Sequence, residues 1–127
     1  MINEAKLTLA LVKSLKKGLP GYVIIKHHDQ ITAGVPDISV TGRRKTTWLE
    51  LKYANPGIIA RGIQDKMMRD LGVAGSAFYV VYRANKLGRG AIGTTTEVCV
   101  PGAGTYIRCS AGIDHEMVVD FIQRLHA

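Results

Sequence analysis

Three charged side chains interrupt two apolar stretches of the sequence, and together they could carry out metal-assisted hydrolysis. Asp37 follows Pro36 at the start of the first stretch, and Glu50 and Lys52 flank Leu51 in the second. Alternate residues of a β-strand share a face, so Glu50 and Lys52 point one way while Leu51 points towards a core. If the two strands pair with a moderate offset, the Asp37 carboxylate lies beside Glu50.

Two adjacent carboxylates repel each other at neutral pH unless a positive charge lies between them. Their hard oxygen atoms suit Mg²⁺ or Mn²⁺, and the backbone carbonyl of Leu51, which lies in the plane of the sheet, could add a third ligand. Lys52 could then orient a metal-bound water or neutralise charge that builds up on a phosphorus centre. The alternative is a simple ion pair between Glu50 and Lys52 on a half-solvated sheet.

The periodicity of the chain predicts the elements that position these residues. Apolar residues that recur every three or four positions predict helices at 2–17, 61–72 and 114–126, the last with Asp114 as its N-cap. Runs of β-branched and aromatic residues predict strands at 22–29, 37–40, 46–53 and 76–83.

The remaining segment and the order of elements complete the expected fold. Residues 84–104, which are rich in Gly and Thr, are interpreted as a mobile basic loop that runs into a hairpin at 97–100 and 105–109. The strand, helix, strand order between residues 46 and 83 favours a parallel pair of strands. We therefore expect an α/β fold with a central mixed β-sheet flanked by helices, in the order α-β-β-β-α-β, followed by the hairpin and a last helix.

Composition limits the class of protein. A chain of 127 residues fits one domain, 1–127, and its 46% hydrophobic and 21% charged residues argue against disorder. The 17 Lys and Arg residues against 10 Asp and Glu give a net charge of +7. This excess favours a polyanionic partner, nucleic acid above all, with simple solubility as the alternative.

Two further classes are disfavoured by what the sequence lacks. No apolar run reaches the roughly 20 residues that span a bilayer, and the N-terminal stretch has no signal-peptide pattern, so we expect a cytoplasmic protein with no membrane partner. The two cysteines, Cys99 and Cys109, are too few for a four-cysteine zinc site. We expect them to be reduced, although a bridge between them stays open.

The charged residues also carry a family resemblance. Pro36-Asp37 followed by Glu50-Leu51-Lys52 matches the pattern of the PD-(D/E)xK nuclease superfamily. More narrowly, GVPDISV, then WLELK, then a helix with Gln64 resembles the small stand-alone VRR-Nuc domains of phages and bacteria, and this likeness extends over residues 4–82.

The resemblance implies a restriction-endonuclease-like core and a Mg²⁺- or Mn²⁺-dependent DNA endonuclease. It implies that Asp37, Glu50 and the Leu51 carbonyl bind the metal and that Lys52 assists the attacking water. Because members of this family resemble Holliday-junction resolvases, it also implies a homodimer that cuts branched DNA in a bacterial cell or a phage-infected host.

Two more residues fit the family pattern more loosely. Glu4 shares a helical stripe with leucines, and the superfamily often has a first-helix glutamate that faces the metal; the alternative is an acid favoured by the helix dipole. Gln64 lies on an apolar stripe with Met68 and Leu71. It could act at the catalytic site through a hydrogen bond, or it could merely lie at the edge of the stripe.

Several residues could contact nucleic acid. His27 and His28 point to opposite faces if they lie in a strand, so they cannot easily hold one metal ion together. His28 is a candidate substrate contact, with no functional role as the alternative. The cations that could follow phosphates are Lys26, Arg43, Arg44, Lys45, Arg61, Lys86 and Arg89, although for any single one of them a solvated side chain is the more usual role. Two other functions compete with junction cleavage: a non-catalytic DNA-binding module, and a related nuclease that acts on linear DNA or RNA.

Overall fold

The computed structural model describes residues 3–27, 35–54, 64–86, 92–102 and 106–127. The helices and strands of these residues are, in chain order, α1 (Glu4–Gly18), β1 (Val23–Lys26), β2 (Ile38–Thr41), β3 (Thr46–Ala54), α2 (Gln64–Val73), β4 (Ala77–Lys86), β5 (Ile92–Cys99), β6 (Tyr106–Ala111) and α3 (His115–Leu125). Within this described part of the chain, no helix is both long and apolar enough to cross a membrane.

The six strands form one sheet in the order β1-β2-β3-β4-β5-β6. Neighbouring strands are antiparallel except for β3 and β4, which run parallel with Lys52 opposite Val81. The α/β class, the mixed sheet and the parallel pair predicted from the sequence are therefore confirmed. This sheet with its three flanking helices is consistent with a restriction-endonuclease-like core.

Helices α1 and α3 cover one face of the sheet, which we call the core face. Leu7, Leu11 and Leu15 of α1 are spaced by four residues, so they form one stripe, and all three are buried against β3 residues such as Leu49 and Leu51. Leu51 thus points into the core, as predicted.

Side chains cap both of these helices and fix where they begin. The Asn3 side chain accepts a hydrogen bond from the Lys6 N–H at 2.8 Å, and the Asp114 side chain accepts one from the Met117 N–H at 3.0 Å. Asp114 was predicted as the cap of the last helix, and this is confirmed.

The opposite face of the sheet, which we call the site face, is more polar. Alternation along the strands places on it Ser39 of β2, Trp48, Glu50 and Lys52 of β3, Tyr79, Val81 and Arg83 of β4, and Glu97 of β5. The charged residues of β3 thus lie on the side of the sheet away from α1 and α3.

The prediction of a mobile loop is wrong for residues 84–86 and 92–96, which lie in strands, whereas residues 87–91 lie outside the described part of the chain. β4 continues to Lys86 and β5 begins at Ile92, and these two residues face each other in the antiparallel pair. The buried Thr96 shows why, since its hydroxyl donates a hydrogen bond to the Gly112 carbonyl at 2.7 Å. The threonines that suggested a loop are β-branched strand residues.

The other element boundaries differ by a few residues from those expected. Within the described residues β1 covers Val23–Lys26 of the predicted 22–29, and residues 28 and 29 lie outside the described part of the chain. β2 begins one residue after Asp37, and β6 extends to Ala111. The predicted pairing of β5 with β6 is present, with Glu97 opposite Cys109. Both cysteines are free thiols.

Candidate active site

The candidate site lies where β2 begins and β3 continues past it. Ile38, the first residue of β2, pairs with Leu49, so the following N–H groups on that edge of β3 have no β2 partner. Two carboxylates accept hydrogen bonds from these N–H groups. Asp37 Oδ2 accepts a hydrogen bond from the Leu51 N–H at 2.9 Å, and Glu4 Oε1 accepts one from the Tyr53 N–H at 2.9 Å.

The Leu51 carbonyl is directed to this same edge. In a strand the N–H and the C=O of one residue point to the same neighbour, and the Leu51 N–H points at Asp37. The offset proposed from the sequence is therefore present: the carboxylate of Asp37 lies at the edge of β3 beside the Glu50-Leu51-Lys52 triplet.

Glu50 is buried beside Asp37, with only 2% of its surface exposed. Its Oε1 accepts a hydrogen bond from the Asp37 N–H at 3.1 Å, and its Oε2 lies 3.4 Å from Nζ of Lys52. Asp37, Glu50 and Lys52, which are separated in sequence, thus form one contiguous group.

The electrostatics of this group are unbalanced. Burial, and then the neighbouring negative charge of Asp37, raise the pKa of Glu50 to about 7, although the Lys52 ammonium opposes the shift. One lysine therefore does not offset both the loss of hydration and the second carboxylate. An added cation at Asp37 and Glu50 would favour the ionised form of Glu50.

The donor atoms of the group fit a hard divalent cation. Asp37, Glu50 and the Leu51 carbonyl supply oxygen ligands of the type that Mg²⁺ and Mn²⁺ prefer. Among the residues that the structure describes, no three His, Cys, Asp or Glu side chains lie close enough together to hold a metal ion. Glu4 reaches the same edge of β3 but does not complete a three-carboxylate set, so water or phosphate would have to fill the remaining positions.

A histidine lies on the site face next to this group, and it is His27. Its Nε2 is 2.8 Å from Oγ of Ser39, and its ring centroid is 5.2 Å from that of Trp48. The His27 N–H also donates a hydrogen bond to the Asp37 carbonyl at 2.8 Å, so His27 is a backbone neighbour of Asp37. The histidine predicted to contact the substrate, His28, lies outside the described residues.

Sequence reasoning also missed an ion pair on the site face. Arg83 donates through Nε to Glu97 Oε2 at 2.9 Å and through Nη2 to Oε1 at 3.4 Å, while Thr95 donates to Oε2 at 3.3 Å. Val81 faces both Lys52 and Glu97, which places them two strands or roughly 10 Å apart. Thr95, Glu97 and Cys99 alternate as the residues on one face of a strand do, and this pattern could have predicted the position of Glu97. It was not used because the segment was interpreted as a loop.

The predicted phosphate contacts do not surround the carboxylates. Arg43, Arg44 and Lys45 occupy the turn between β2 and β3, whereas Glu50 and Lys52 lie four and six residues beyond Thr46. At 3.3 Å per residue this is roughly 13 to 20 Å.

The other predicted contacts are placed only in part. Lys26 ends β1 opposite Ile38, at the same end of the sheet as Asp37. Gln64 begins α2 and Lys86 ends β4, but their side chains are not described. Arg61 and Arg89 lie outside the described residues.

No protein-family model matches this chain, and no curated protein matches it significantly. The resemblance to VRR-Nuc domains therefore stays a hypothesis that is based on Asp37, Glu50, Lys52 and the sequence around them.

Proposed function

We propose that this protein is a metal-dependent DNA endonuclease of the VRR-Nuc type within the PD-(D/E)xK superfamily. The observation that supports it best is the buried Glu50 beside Asp37, 3.4 Å from Lys52, at an edge of β3 that β2 does not cover. A purely structural strand would gain nothing from two adjacent carboxylates, since each loses hydration and repels the other.

The residues divide the work of phosphodiester hydrolysis. Asp37, Glu50 and the Leu51 carbonyl would bind Mg²⁺ or Mn²⁺, which when bound polarises the phosphate and acidifies a water. Lys52 holds a positive charge next to Glu50, where it can orient the attacking water or neutralise charge on the phosphate. Glu4 fixes the strand edge through the Tyr53 N–H, and Gln64 stays a candidate hydrogen-bonding residue.

We further propose that the substrate is DNA, branched rather than linear. The net charge of +7 favours a polyanion, and the family resemblance favours junctions cut by a homodimer, whose two sites would act on two strands. The cytoplasm of a bacterial cell or a phage-infected host is the compartment where such DNA occurs.

A second candidate is a non-catalytic DNA-binding module. The distance between the basic turn and the carboxylates favours it, since Arg43, Arg44 and Lys45 could bind DNA without any contribution from Glu50. A related nuclease for linear DNA or RNA is a variant of the first proposal and differs in substrate only.

Cleavage assays separate these functions. A labelled four-way junction, the matched linear duplex, a single strand and an RNA hairpin are incubated with the protein, with and without Mg²⁺ or Mn²⁺. Wild type should cut the junction only with metal, and Asp37→Asn and Lys52→Met should each lose at least about 10²-fold in rate, because each removes a group that acts on the transition state.

The matched control is Lys66→Met, which removes an exposed lysine of α2 that pairs with the exposed Asp70. It should cut at the wild-type rate, since an exposed pair of this kind contributes little. Tight junction binding by wild type without cutting under either metal would contradict the nuclease proposal and favour the binding module.

A further inference from the structure

A cavity of about 660 Å³ lies beside the β2–β3 turn, which precedes Thr46 at the start of β3, whereas Glu50 lies four residues further along the strand. Its walls include Tyr22, Gly42, Arg43, Arg44, Lys45 and His126. Three of the residues that line it are cationic, and among the described residues that line it none is Asp or Glu.

Packing holds the cavity in place. His126 Nε2 lies 2.7 Å from Oγ1 of Thr47, and its ring is 5.3 Å from that of Tyr22. A Cβ atom at Gly42 would lie 2.8 Å from Nδ1 of His126 and 2.9 Å from Cε2 of Tyr22, so only glycine lets the turn approach this closely. The turn is closed by a hydrogen bond from the Gly42 N–H to the Lys45 carbonyl at 3.0 Å.

The positive charge of the cavity comes from the turn and not from the histidine. Burial, and then the positive charge of Lys45, lower the pKa of His126, so its neutral form predominates at pH 7. His126 therefore lines the cavity without adding charge, and Arg43, Arg44 and Lys45 supply the cationic hydrogen-bond donors. Paired arginines and a lysine are the side chains that most often bind phosphate oxygens.

We propose that this cavity is a second phosphate-binding site, in which Arg43, Arg44 and Lys45 hold the backbone of a DNA strand away from the point of cleavage. The inference rests on the proposed function, because it assigns these residues to the same substrate. The roughly 13 to 20 Å between Thr46 and the Glu50 to Lys52 segment matches four to six nucleotides at about 3.4 Å each. The site would therefore bind an arm of the substrate about that far from the scissile bond.

Binding without metal tests the site independently of cleavage. Fluorescence anisotropy in EDTA measures the affinity of a labelled junction for wild type and for Arg43→Gln/Arg44→Gln/Lys45→Gln over a range of salt concentrations. Each lost phosphate contact reduces the slope of log affinity against log salt by about 0.9, so the triple variant should lose up to about 2.7 from the slope and bind at least ~10-fold more weakly.

The matched control is Lys13→Gln/Lys16→Gln/Lys17→Gln, which also removes three positive charges, but from exposed positions of α1. Both variants have a formal charge of +4, that is +7 minus 3. The control should keep most of the wild-type slope. Equal losses in the two variants would overturn the proposal, because they would show a response to net charge alone.

Arm length gives a second readout. For junctions with arms of about 3 to 12 base pairs, wild-type affinity should rise in a step once an arm reaches the turn, at about four to six base pairs, and the turn variant should lack the step. If the triple variant fails to fold, the single variant Arg44→Gln, at an exposed position, replaces it. This variant should show a smaller step in affinity than wild type. Affinity that grows smoothly with arm length in wild type would overturn the assignment.

Competition with inorganic phosphate distinguishes a DNA backbone from a free anion. If millimolar phosphate displaces no DNA, or if phosphate competes only as weakly as one phosphate contact would, the assignment to a DNA backbone stands. Tight binding of phosphate alone, with no difference between long and short arms, would overturn it. If wild type shows the step in affinity but never cuts DNA, the nuclease proposal fails and the second phosphate site stands. If wild type cuts DNA but the turn variant binds it with normal affinity, the second phosphate site fails and the nuclease proposal stands.

Discussion

Two buried glutamates lie on the site face, and their surroundings differ. Glu97 is 6% exposed, and both of its oxygens accept hydrogen bonds from Arg83, with a further one from Thr95. Glu50 is 2% exposed, but within the described part of the chain its donors are one backbone N–H and a single lysine at 3.4 Å, and Asp37 lies beside it.

Burial of a carboxylate and the lack of a matching positive charge are therefore separate features on this face. The sheet buries Glu97 with a guanidinium whose two N–H groups match its two oxygens, which is the arrangement of a stabilising pair. At Glu50 burial and the charge of Asp37 raise the pKa to about 7. The unbalanced charge, rather than burial, distinguishes the candidate active site.

The largest expected effect is the pH dependence of stability at Glu50. The unfolded glutamate titrates near 4.5 and the folded one near 7, so between these values the folded state binds a proton that the unfolded state does not. The free energy of unfolding should therefore fall as pH rises from about 5 to about 8, by about 3 kcal/mol from this residue. Chemical denaturation without metal at both pH values measures it.

The variant Glu50→Gln isolates this contribution, since other groups, such as Asp114 with its lowered pKa, titrate alike in both proteins. The variant should be more stable than wild type at pH 8 and nearly equal to it at pH 5. Mg²⁺ should then stabilise wild type at pH 8, by about 2.7 kcal/mol at 100 times its dissociation constant, and stabilise the variant much less. If neither Mg²⁺ nor Mn²⁺ changes the free energy of unfolding of wild type, the proposal that Asp37 and Glu50 bind a metal ion is contradicted.

The next effect concerns the Arg83–Glu97 pair. Glu97→Gln leaves the guanidinium with a neutral partner and should cost about 2 kcal/mol, less than for a wholly buried pair because the Arg83 side chain is 20% exposed. Urea denaturation with an unchanged m value measures the loss.

The double variant Arg83→Met/Glu97→Met shows whether the pair has another role. Two apolar side chains of similar length should restore most of the stability, because they remove the buried charges together. If the double variant is stable and cuts DNA at the wild-type rate, the pair is structural. If it is stable but does not cut DNA, Arg83 instead acts at the substrate.

The sequence allowed the Glu50 environment to be predicted because its causes are local. Alternation along one strand places Glu50 and Lys52 on one face, and the short turn at Gly42 brings Asp37 to the neighbouring strand. The parallel pairing of β3 with β4 followed in the same way from the order of elements.

The Glu97 environment could not be predicted because it depends on the register of distant strands. Arg83 meets Glu97 only because β4 extends beyond Arg83 and β5 pairs with it, and the threonines of β5 were interpreted as loop residues. The bond from the Tyr53 N–H to Glu4 likewise joins residues 49 positions apart, and helix periodicity alone cannot specify it.

The smallest effect that sharpens the comparison comes from Thr95. Its hydroxyl donates to Glu97 Oε2 at 3.3 Å and accepts from Asn85 Nδ2 at 3.2 Å. Thr95→Val keeps the shape and removes both bonds, so it should cost about 1 kcal/mol in urea denaturation. Because Arg83 still neutralises Glu97, the variant should keep the wild-type response to pH and to Mg²⁺. A changed metal response would mean that the two glutamates are coupled across β4, and the separation of structural from functional charge on this face would no longer hold.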